Sequence, residues 1–314
     1  MTRNLLAMAP MLSKEMDELE THFKVVKLWK EEDPEDTLHR LGGQINAILS
    51  TYNGPKITDR LMAALPNLEI ITQYGAGINN IDLVEAERRN IAVTNTPDVL
   101  TDDVADLAMG LLLSVTRRIC EADMFVRVGQ WTANSAPFPL ATSLTRKTMG
   151  IVGLGRIGRA IARRAEAFGI EVIYHGRSEK TDVAYRYYPD LREMAQKADI
   201  LMLACEGGAG TEDLVNEDVL NALGPKGVLI NIARGSVVDE KALIQALINK
   251  QIAAAGLDVY AKEPYIPEDL KKMDNVVLLP HIASATTETR SIMGELVIEN
   301  LLAHFDGRTL ITPV

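Results

Sequence analysis

The sequence predicts an α/β protein with two doubly wound, parallel-sheet domains and a cleft between them. Apolar, strand-like runs alternate with amphipathic, helix-like runs along the whole chain of 314 residues. The strand-like runs are apolar throughout, which is typical of parallel strands that helices cover on both faces. A glycine-rich strand–turn–helix pattern begins only near residue 148, so a separate α/β unit precedes it.

Residues 1–100 and 288–314 are assigned to the first domain. The amphipathic stretches 58–65 and 82–90 are predicted helices, and Thr58 or Asp59 is a suitable N-cap for the first of them. Five buried strands are predicted in this domain: NLLAMA, KVVKLW, NAILST, LEIITQ and IAVTN.

Residues 101–287 are assigned to the second domain. It is predicted to begin with one long helix over 101–128, which a proline-containing loop at 129–147 follows. The predicted strands are TMGIVG, EVIYH, DILMLA, GVLINI, AAGLDV and NVVLLP, and the predicted helices cover about 156–168, 190–198, 216–222 and 239–249. A last amphipathic helix at about 286–306 returns the chain to the first domain.

The composition excludes several classes of function. The chain has 33 basic and 43 acidic residues, and its net charge of −10 argues against a partner held by nucleic-acid phosphates. Its two cysteines, Cys120 and Cys205, make neither a disulfide framework nor a metal cluster, so we expect no metal and a cytoplasmic location. The longest apolar stretch, 107–115, is too short to span a bilayer, so we expect no membrane association.

A dinucleotide site is predicted at GIVGLGRIGRA, residues 150–160. Its glycines have the spacing G-x-G-x-x-G, follow an apolar strand and open a helix, which is the context that a Rossmann-like motif requires. The helix N-terminus offers peptide N–H groups and a positive dipole to a pyrophosphate. The predicted contacts are Gly153, Gly155, Arg156, Ile157 and Gly158.

The next strand ends in VIYHGRS, residues 172–178, where a dinucleotide site for NAD normally carries an acidic residue. The positions Gly176, Arg177 and Ser178 contain no carboxylate. Arg177 can pair with a 2′-phosphate and Ser178 can donate a hydrogen bond to it. The segment therefore favours NADP(H), while NAD(H) stays possible because a solvated Arg177 would leave the site open to either cofactor.

Three further motifs place chemically active side chains after predicted strands. Arg234 lies in NIARGSVVDE, Asp258 and Glu263 lie in GLDVYAKEP, and His281 lies in LLPHIASAT. In open α/β sheets ligands bind at the carboxyl ends of the strands. We therefore expect an arginine, a carboxylate and a histidine to share one cleft.

These motifs, together with GLGRIGRA, resemble the successive signatures of the D-isomer-specific 2-hydroxyacid dehydrogenases, above all the glyoxylate/hydroxypyruvate reductases. The resemblance implies a flavodoxin-like substrate domain from both chain ends and a central Rossmann domain. It also implies hydride transfer between NAD(P)H and a small 2-keto acid to give a D-2-hydroxy acid, and a homodimer.

The resemblance implies a role for each member of the trio. Arg234 would hold the carboxylate and carbonyl oxygen of a 2-keto acid, which suits its rigid fork of donors. His281 would protonate the carbonyl oxygen as hydride arrives, and Glu263 would orient the ring and favour its protonated form. Asp258 would help to bind the nicotinamide end of the cofactor.

Other positions match the family more locally. In QYGAGINNID the backbone amides of Gly75, Ala76 and Gly77 would face the substrate carboxylate, with Tyr52 lining the same cleft. Thr101 either approaches the nicotinamide or caps the helix that it opens. The remaining predicted cofactor contacts are Cys205, Glu206, Thr211, Ile232 and Ala233.

The segment CEGGAGTEDLVN departs from the family, because many relatives have a His-x-Pro segment there. Its extra glycines leave room for larger acids such as 2-ketogluconate. The segment 117–131 corresponds to the arm through which relatives dimerise. Trp131 in it either reaches a neighbouring subunit or packs within its own loop.

Three alternatives remain open at this point. Phosphite oxidation uses the same trio on the same scaffold. Formate oxidation also uses the scaffold, but formate dehydrogenases carry glutamine where Glu263 stands, which argues against it. A dinucleotide-sensing regulator like the C-terminal-binding-protein co-repressors would keep the trio intact, but the compact length and the lack of an obvious peptide-docking feature favour an enzyme.

Overall fold

The computed structural model describes residues 3–52 and 54–314. The chain forms two compact units, Met1–Leu100 with Ser284–Val314 and Thr101–Ala283. The sequence placed the second boundary after residue 287. The earlier boundary has a local cause, because Thr286 caps the C-terminal helix by accepting from the N–H of Thr289, and the residues before that helix belong with it.

The first unit contains a five-stranded parallel sheet in the order β2-β1-β3-β4-β5. The five strands predicted from the sequence are all present, and an apolar core lies beneath them. Its elements are β1 (Arg3–Ala7), α1 (Ser13–His22), β2 (Phe23–Lys27), α2 (Pro34–Leu41), β3 (Ile45–Thr51), α3 (Asp59–Ala63), β4 (Ile70–Tyr74), α4 (Leu83–Arg88), β5 (Ala92–Thr94) and, from the end of the chain, α12 (Thr287–Phe305).

The second unit contains a seven-stranded parallel sheet in the order β12-β11-β10-β9-β6-β7-β8. Its elements are α5 (Thr101–Thr116), α6 (Ile119–Arg127), β6 (Thr148–Val152), α7 (Arg156–Ala167), β7 (Glu171–His175), β8 (Arg186–Tyr188), α8 (Leu191–Ala195), β9 (Ile200–Leu203), α9 (Glu217–Leu223), β10 (Val228–Asn231), α10 (Glu240–Ile248), β11 (Ala254–Leu257), α11 (Glu268–Lys271) and β12 (Val276–Leu278). The doubly wound fold class is confirmed for both units.

The register of the second sheet aligns the ends of its strands. Val152 at the end of β6 is paired with His175 on one side and Leu203 on the other. Asn231 at the end of β10 is paired with Leu203 and Leu257. Every residue that follows these strand ends therefore lies along one edge of the sheet, and β6 is the point where the winding reverses.

The single helix predicted over 101–128 is wrong, because the chain forms two helices there, α5 and α6. Arg118 between them has a φ of 56°, in the left-handed region, which interrupts the hydrogen-bond ladder. Its guanidinium then binds Glu121 in the first turn of α6, with Nη2 to Oε1 at 2.6 Å. Eight residues of α5 are buried and none of α6 is, so the break separates a core helix from an exposed one.

Candidate active site

Each of the three glycines in the turn after β6 lies in a different environment. Gly153 has a φ of 92°, and a Cβ there would lie 2.6 Å from the Cα of Cys205. A Cβ on Gly158 would lie 2.1 Å from the carbonyl oxygen of Gly153. Gly155 has no atom within 4 Å of its Cβ position, so its backbone faces open space at the N-terminus of α7. The turn thus presents an accessible cradle of backbone for a pyrophosphate.

The end of β7 lies beside that cradle and is open to solvent. Arg177 and Ser178 are exposed, and Gly176 has open space at its Cβ position. The carbonyl oxygen of Gly176 accepts from the Tyr187 hydroxyl at 3.0 Å, which fixes the backbone just before Arg177. The Arg177 Nη2 lies 3.6 Å from a carboxylate oxygen of Glu206, on the other side of β6 in the sheet.

Arg234 follows β10 in a loop whose backbone is held by hydrogen bonds to the Asn231 side chain. Asn231 is buried, accepts from the N–H of Ala233 at 3.0 Å and donates to the carbonyl oxygen of Arg234 at 3.0 Å. At Gly235 a Cβ would lie 1.8 Å from the carbonyl carbon of Tyr260, so only glycine fits there. This close approach brings the Arg234 loop against the loop that carries Glu263.

Glu263 and His281 form a direct pair. His281 Nδ1 lies 2.7 Å from Glu263 Oε2, and Glu263 Oε1 accepts from the N–H of Tyr260 at 3.0 Å. Both oxygens of the carboxylate are thus engaged, and the ring orientation of His281 is set. Nδ1 is therefore the ring nitrogen that faces the carboxylate.

Asp258 holds the backbone that directly follows His281. It is 0% exposed, and its two oxygens accept from the N–H groups of Ile282 at 2.8 Å and Ala283 at 2.9 Å. His281 itself has a φ of 56°, a conformation that costs energy for a non-glycine residue and needs such support. The contact of Asp258 with a nicotinamide stays a prediction, while its contacts with the histidine segment are direct.

The charges of these groups act on one another. Burial alone would raise the pKa of Glu263, but the hydrogen bond and charge of His281, the Tyr260 N–H and the charge of Arg234 together lower it. Burial lowers the pKa of Arg234, and the charge of Glu263 opposes that effect. Glu263 is therefore an ionised partner for both neighbours at neutral pH. The predicted trio of Arg234, Glu263 and His281 is brought together.

In the first unit, the loop Gly75–Gly77 follows β4 and is held by its carbonyl groups. These accept in turn from the Thr96 N–H at 3.0 Å, the Asn95 side chain at 2.8 Å and the Gln73 side chain at 3.1 Å. In a trans peptide the C=O and the following N–H point in opposite directions. The N–H groups of Ala76 and Gly77, which follow the first two carbonyls, therefore point away from the Thr96 and Asn95 donors. Backbone N–H groups in this orientation suit the binding of an anion.

Tyr52 lies after β3, and it contacts a residue that sequence reasoning missed. The guanidinium of Arg290, on α12, lies 5.7 Å from the Tyr52 ring centroid and 5.4 Å from that of Tyr74. The Tyr74 hydroxyl donates to the Arg290 carbonyl oxygen at 2.8 Å, and burial raises the pKa of Tyr74 to about 12, although the charge of Arg290 opposes this. A lone arginine on a helix carries no sequence signal, so only the fold reveals it.

Comparisons with known proteins agree with this geometry. A family model for the NAD-binding domain of the D-isomer-specific 2-hydroxyacid dehydrogenases matches residues 109–283. Glyoxylate/hydroxypyruvate reductase A of Arabidopsis thaliana is 47% identical over 310 residues, 99% of this chain and 98% of that protein. The chain belongs to the D-isomer-specific 2-hydroxyacid dehydrogenase family.

Two other relatives of this dehydrogenase bear on its chemistry. The 2-ketogluconate reductase of Gluconobacter oxydans is 48% identical over 266 residues, 85% of each chain. An NADPH-dependent glyoxylate/hydroxypyruvate reductase of Sinorhizobium meliloti, solved in complex with NADP and malonate, is 42% identical. It has a TM-score of 0.92 and covers 100% of this chain and 97% of that one. The dehydrogenase is thus an oxidoreductase that binds a nicotinamide dinucleotide, as its motifs predicted.

Most of the remaining predicted contacts of the dehydrogenase follow strand ends, and one opens a helix. Ile232 and Ala233 are buried directly after β10, and Thr101 is the first residue of α5. Cys205 follows β9 against Gly153, and burial raises the pKa of its thiol to about 11. Its thiol is therefore neutral at physiological pH, which suits a lining residue and not a nucleophile.

Within residues 3–52 and 54–314, no group of three or more His, Cys, Asp or Glu side chains is arranged to hold a metal ion. Over the same residues, no helix is long and apolar enough to cross a membrane.

Proposed function

We propose that this enzyme reduces small 2-keto acids, with glyoxylate and hydroxypyruvate as its main substrates, to D-2-hydroxy acids with NADPH. The observation that carries the proposal is the Glu263–His281 pair at 2.7 Å, with Arg234 acting on the same carboxylate. A proton donor, its ionised partner and a fixed cation are what reduction of a carbonyl next to a carboxylate needs.

The residues fit a nicotinamide dinucleotide. The open backbone at Gly155 and the N-terminus of α7 would hold the pyrophosphate, and Ile232 and Ala233 follow β10, two strands from β6 in the sheet. A bound nicotinamide would supply the hydride that reduces the carbonyl carbon. A Cβ at Gly153 or Gly158 would strike protein backbone, so the shape of this turn depends on both glycines.

The chain's own residues perform the polar part of the reaction. Arg234 binds the substrate carboxylate and polarises the carbonyl oxygen through its planar fork of N–H donors. His281, held through Nδ1, delivers a proton from Nε2 to the developing alkoxide, and Glu263 stabilises the imidazolium before that transfer. In the oxidative direction the neutral ring accepts the proton from the hydroxyl group.

The preference for NADP(H) is supported by the end of β7. Arg177 and Ser178 are exposed beside the glycine turn, and none of the residues 175–178 is acidic. A guanidinium and a hydroxyl are suited to a 2′-phosphate. The NADPH dependence of the Sinorhizobium meliloti relative points the same way.

A larger substrate is a specific second candidate. The 2-ketogluconate reductase of Gluconobacter oxydans is as similar to this chain as the Arabidopsis thaliana reductase over a shorter span. The segment after β9 carries Gly207, Gly208 and Gly210, which have no Cβ to restrict space.

The test is oxidation of NADPH by the purified enzyme across a panel of 2-keto acids, followed at 340 nm. We expect glyoxylate and hydroxypyruvate to give the highest kcat/KM, and 2-ketogluconate to give turnover if the second candidate holds. The absence of turnover across the whole panel would refute the reductase and favour a dinucleotide-sensing regulator. Parallel assays with formate and phosphite and NADP⁺ distinguish the two oxidations on this scaffold.

We also propose that the enzyme is a homodimer that uses the exposed face of α6. Met124 in α6 and Val128 directly after it lie four residues apart on one side of the helix and are 56% and 57% exposed. Trp131 beyond them is 73% exposed. Large apolar side chains exposed next to one another suit an interface. Multi-angle light scattering should give twice the chain mass of 34.4 kDa, and Met124→Lys with Val128→Lys should give the single mass.

A further inference from the structure

Arg177 has a partner in this structure that a 2′-phosphate would have to displace. Its Nη2 lies 3.6 Å from Glu206 Oε2, and the two side chains are 94% and 90% exposed. Glu206 belongs to the segment CEGGAGTEDLVN, which begins two residues after β9. The carboxylate beside Arg177 therefore comes from the end of β9, whereas an NAD site carries its acidic residue at the end of β7.

The pair spans the mouth of the glycine turn. In the sheet, β6 lies between β7, which leads to Arg177, and β9, which leads to Glu206. Neighbouring strands are about 4.8 Å apart, so the two flanking strands are separated by roughly 10 Å. Two long side chains bridge that gap across the end of β6, in front of the backbone that receives the dinucleotide.

The backbone beneath each side chain is fixed. The Thr211 hydroxyl donates to the carbonyl oxygen of Glu206 at 2.8 Å, and Cys205, just before it, packs against Gly153. On the other side, the Tyr187 hydroxyl holds Gly176. The carboxylate of Glu206 is therefore kept within reach of Arg177 and of whatever binds there.

We propose that Glu206 sets the cofactor selectivity of this enzyme by competing with the 2′-phosphate for Arg177. This inference rests on the proposed use of a nicotinamide dinucleotide at the glycine turn. With NADP(H), the guanidinium exchanges the carboxylate for the phosphate, and the displaced carboxylate repels that phosphate. With NAD(H), Glu206 keeps Arg177 and can accept from the ribose hydroxyl. Glu206 therefore makes the preference for NADP(H) over NAD(H) weaker than Arg177 and Ser178 would produce without it.

The size of the effect follows from exposure. A phosphate monoester carries about −1.5 to −2 charges at neutral pH, and the adjacent carboxylate adds one more of the same sign. Both protein groups lie in water, where pairs of this kind are weak and screened by salt. We therefore expect removal of the Glu206 charge to change binding by about two- to fivefold.

The experiment measures binding of 2′,5′-ADP and 5′-AMP by calorimetry, since these two ligands differ only in the 2′-phosphate. Glu206→Gln should lower the Kd of 2′,5′-ADP by about two- to fivefold and leave that of 5′-AMP unchanged or higher. Glu212→Gln, the same change at an exposed glutamate of the same segment, is the matched control and should bind both ligands as the wild type does. Equal behaviour of the two variants, or equal tightening for both ligands, would overturn the proposal.

Two further measurements identify the route of the effect. The gain from Glu206→Gln should be smaller in an Arg177→Ala background, and it should shrink between 0.05 and about 0.5 M salt. A gain that is the same with and without Arg177 would contradict competition. Because neither ligand contains nicotinamide, a binding effect without keto-acid turnover would refute the proposed reductase alone, and binding of neither ligand would refute both proposals.

Discussion

The proposed catalytic trio, Arg234, Glu263 and His281, and the proposed cofactor-selecting pair, Arg177 and Glu206, follow strand ends along the same edge of one sheet, and they are built in opposite ways. Glu263 and His281 are half-buried, joined at 2.7 Å, and supported by the fully buried Asp258 and the N–H of Tyr260. Arg177 and Glu206 stand in solvent at 3.6 Å on long side chains. The Glu263–His281 pair is therefore held in one arrangement, while Arg177 and Glu206 are free to change their hydrogen-bond partners.

The two groups differ because one proposed function at this sheet edge needs a fixed geometry and the other needs mainly a charge. Proton transfer needs a donor held within about 3 Å of the reacting oxygen. Both carboxylate oxygens of Glu263 and Nδ1 of His281 accordingly have fixed partners. Recognition of a 2′-phosphate needs a positive charge near the carboxyl end of β7, and an exposed arginine provides it without a buried, fixed side chain. Substitutions in the first group should therefore change rates greatly, and substitutions in the second should change ratios moderately.

The largest effect is expected for His281→Asn, which removes the proton donor and keeps a polar side chain of similar reach. The kcat/KM for glyoxylate with NADPH should fall by about 10²- to 10⁴-fold, while the Kd for NADPH changes little. His39→Asn, at an exposed position of α2, is the control. Near wild-type kcat/KM for His281→Asn would contradict the assignment of the donor.

Glu263→Gln should have the next largest effect and should also change the pH profile. The pKa of Glu263 lies below its usual 4.5, so its charge is present above that value and is lost only as the pH falls through the lowered pKa. Glu263 therefore imposes no acid limit on the wild type between about pH 5 and 8. In the glutamine variant the kcat/KM should fall by about 10- to 100-fold, since a charged hydrogen bond to the ring is lost.

The acid side of the kcat/KM profile should distinguish this variant from the wild type. In the wild type the kcat/KM should fall as the pH drops below 4.5 and through the lowered pKa of Glu263, because the carboxylate is protonated there and loses its charge. Glutamine gains no proton in this range, so the variant should lack that fall, and the same fall in both proteins would show that another group causes it.

Arg177→Asp should lower the ratio of kcat/KM with NADPH to that with NADH by about tenfold or more, since a cation facing the phosphate becomes an anion. The kcat at saturating cofactor should change little, because β9 and β6 lie between β7, which leads to Arg177, and β10, which leads to Arg234. Arg192→Asp, exposed on α8, provides the same charge change elsewhere in the unit. An unaltered ratio would show that Arg177 does not contact the phosphate.

Ser178→Ala is expected to have the smallest effect, about two- to threefold on KM for NADPH and none on KM for NADH, because a single neutral donor in solvent is lost. Equal changes for the two cofactors would place Ser178 outside the 2′-phosphate contacts and would narrow that site to Arg177.

The elements that the sequence predicted correctly have short-range signals. The strands β6, β7, β9 and β10 each contain three or more consecutive non-charged, mostly apolar residues (MGIV, VIY, ILML and VLI), and the glycine turn has its own spacing. The break between α5 and α6 has no such signal, because the residues at the break are arginines, which are good helix formers. The three-residue strand β8 was also missed, since RYY is too short for its period to be read.

The sequence by itself determined the family, the doubly wound fold class and the residue types of the catalytic trio, because each depends on local pattern and on motif order along the chain. Only the tertiary structure decided which groups meet. The register of the strands places Glu206 against Arg177, although β6 lies between their strands, and the turn of α12 places Arg290 over Tyr52 and Tyr74. Contacts between distant segments depend on sheet order and helix packing, which no short stretch of sequence encodes.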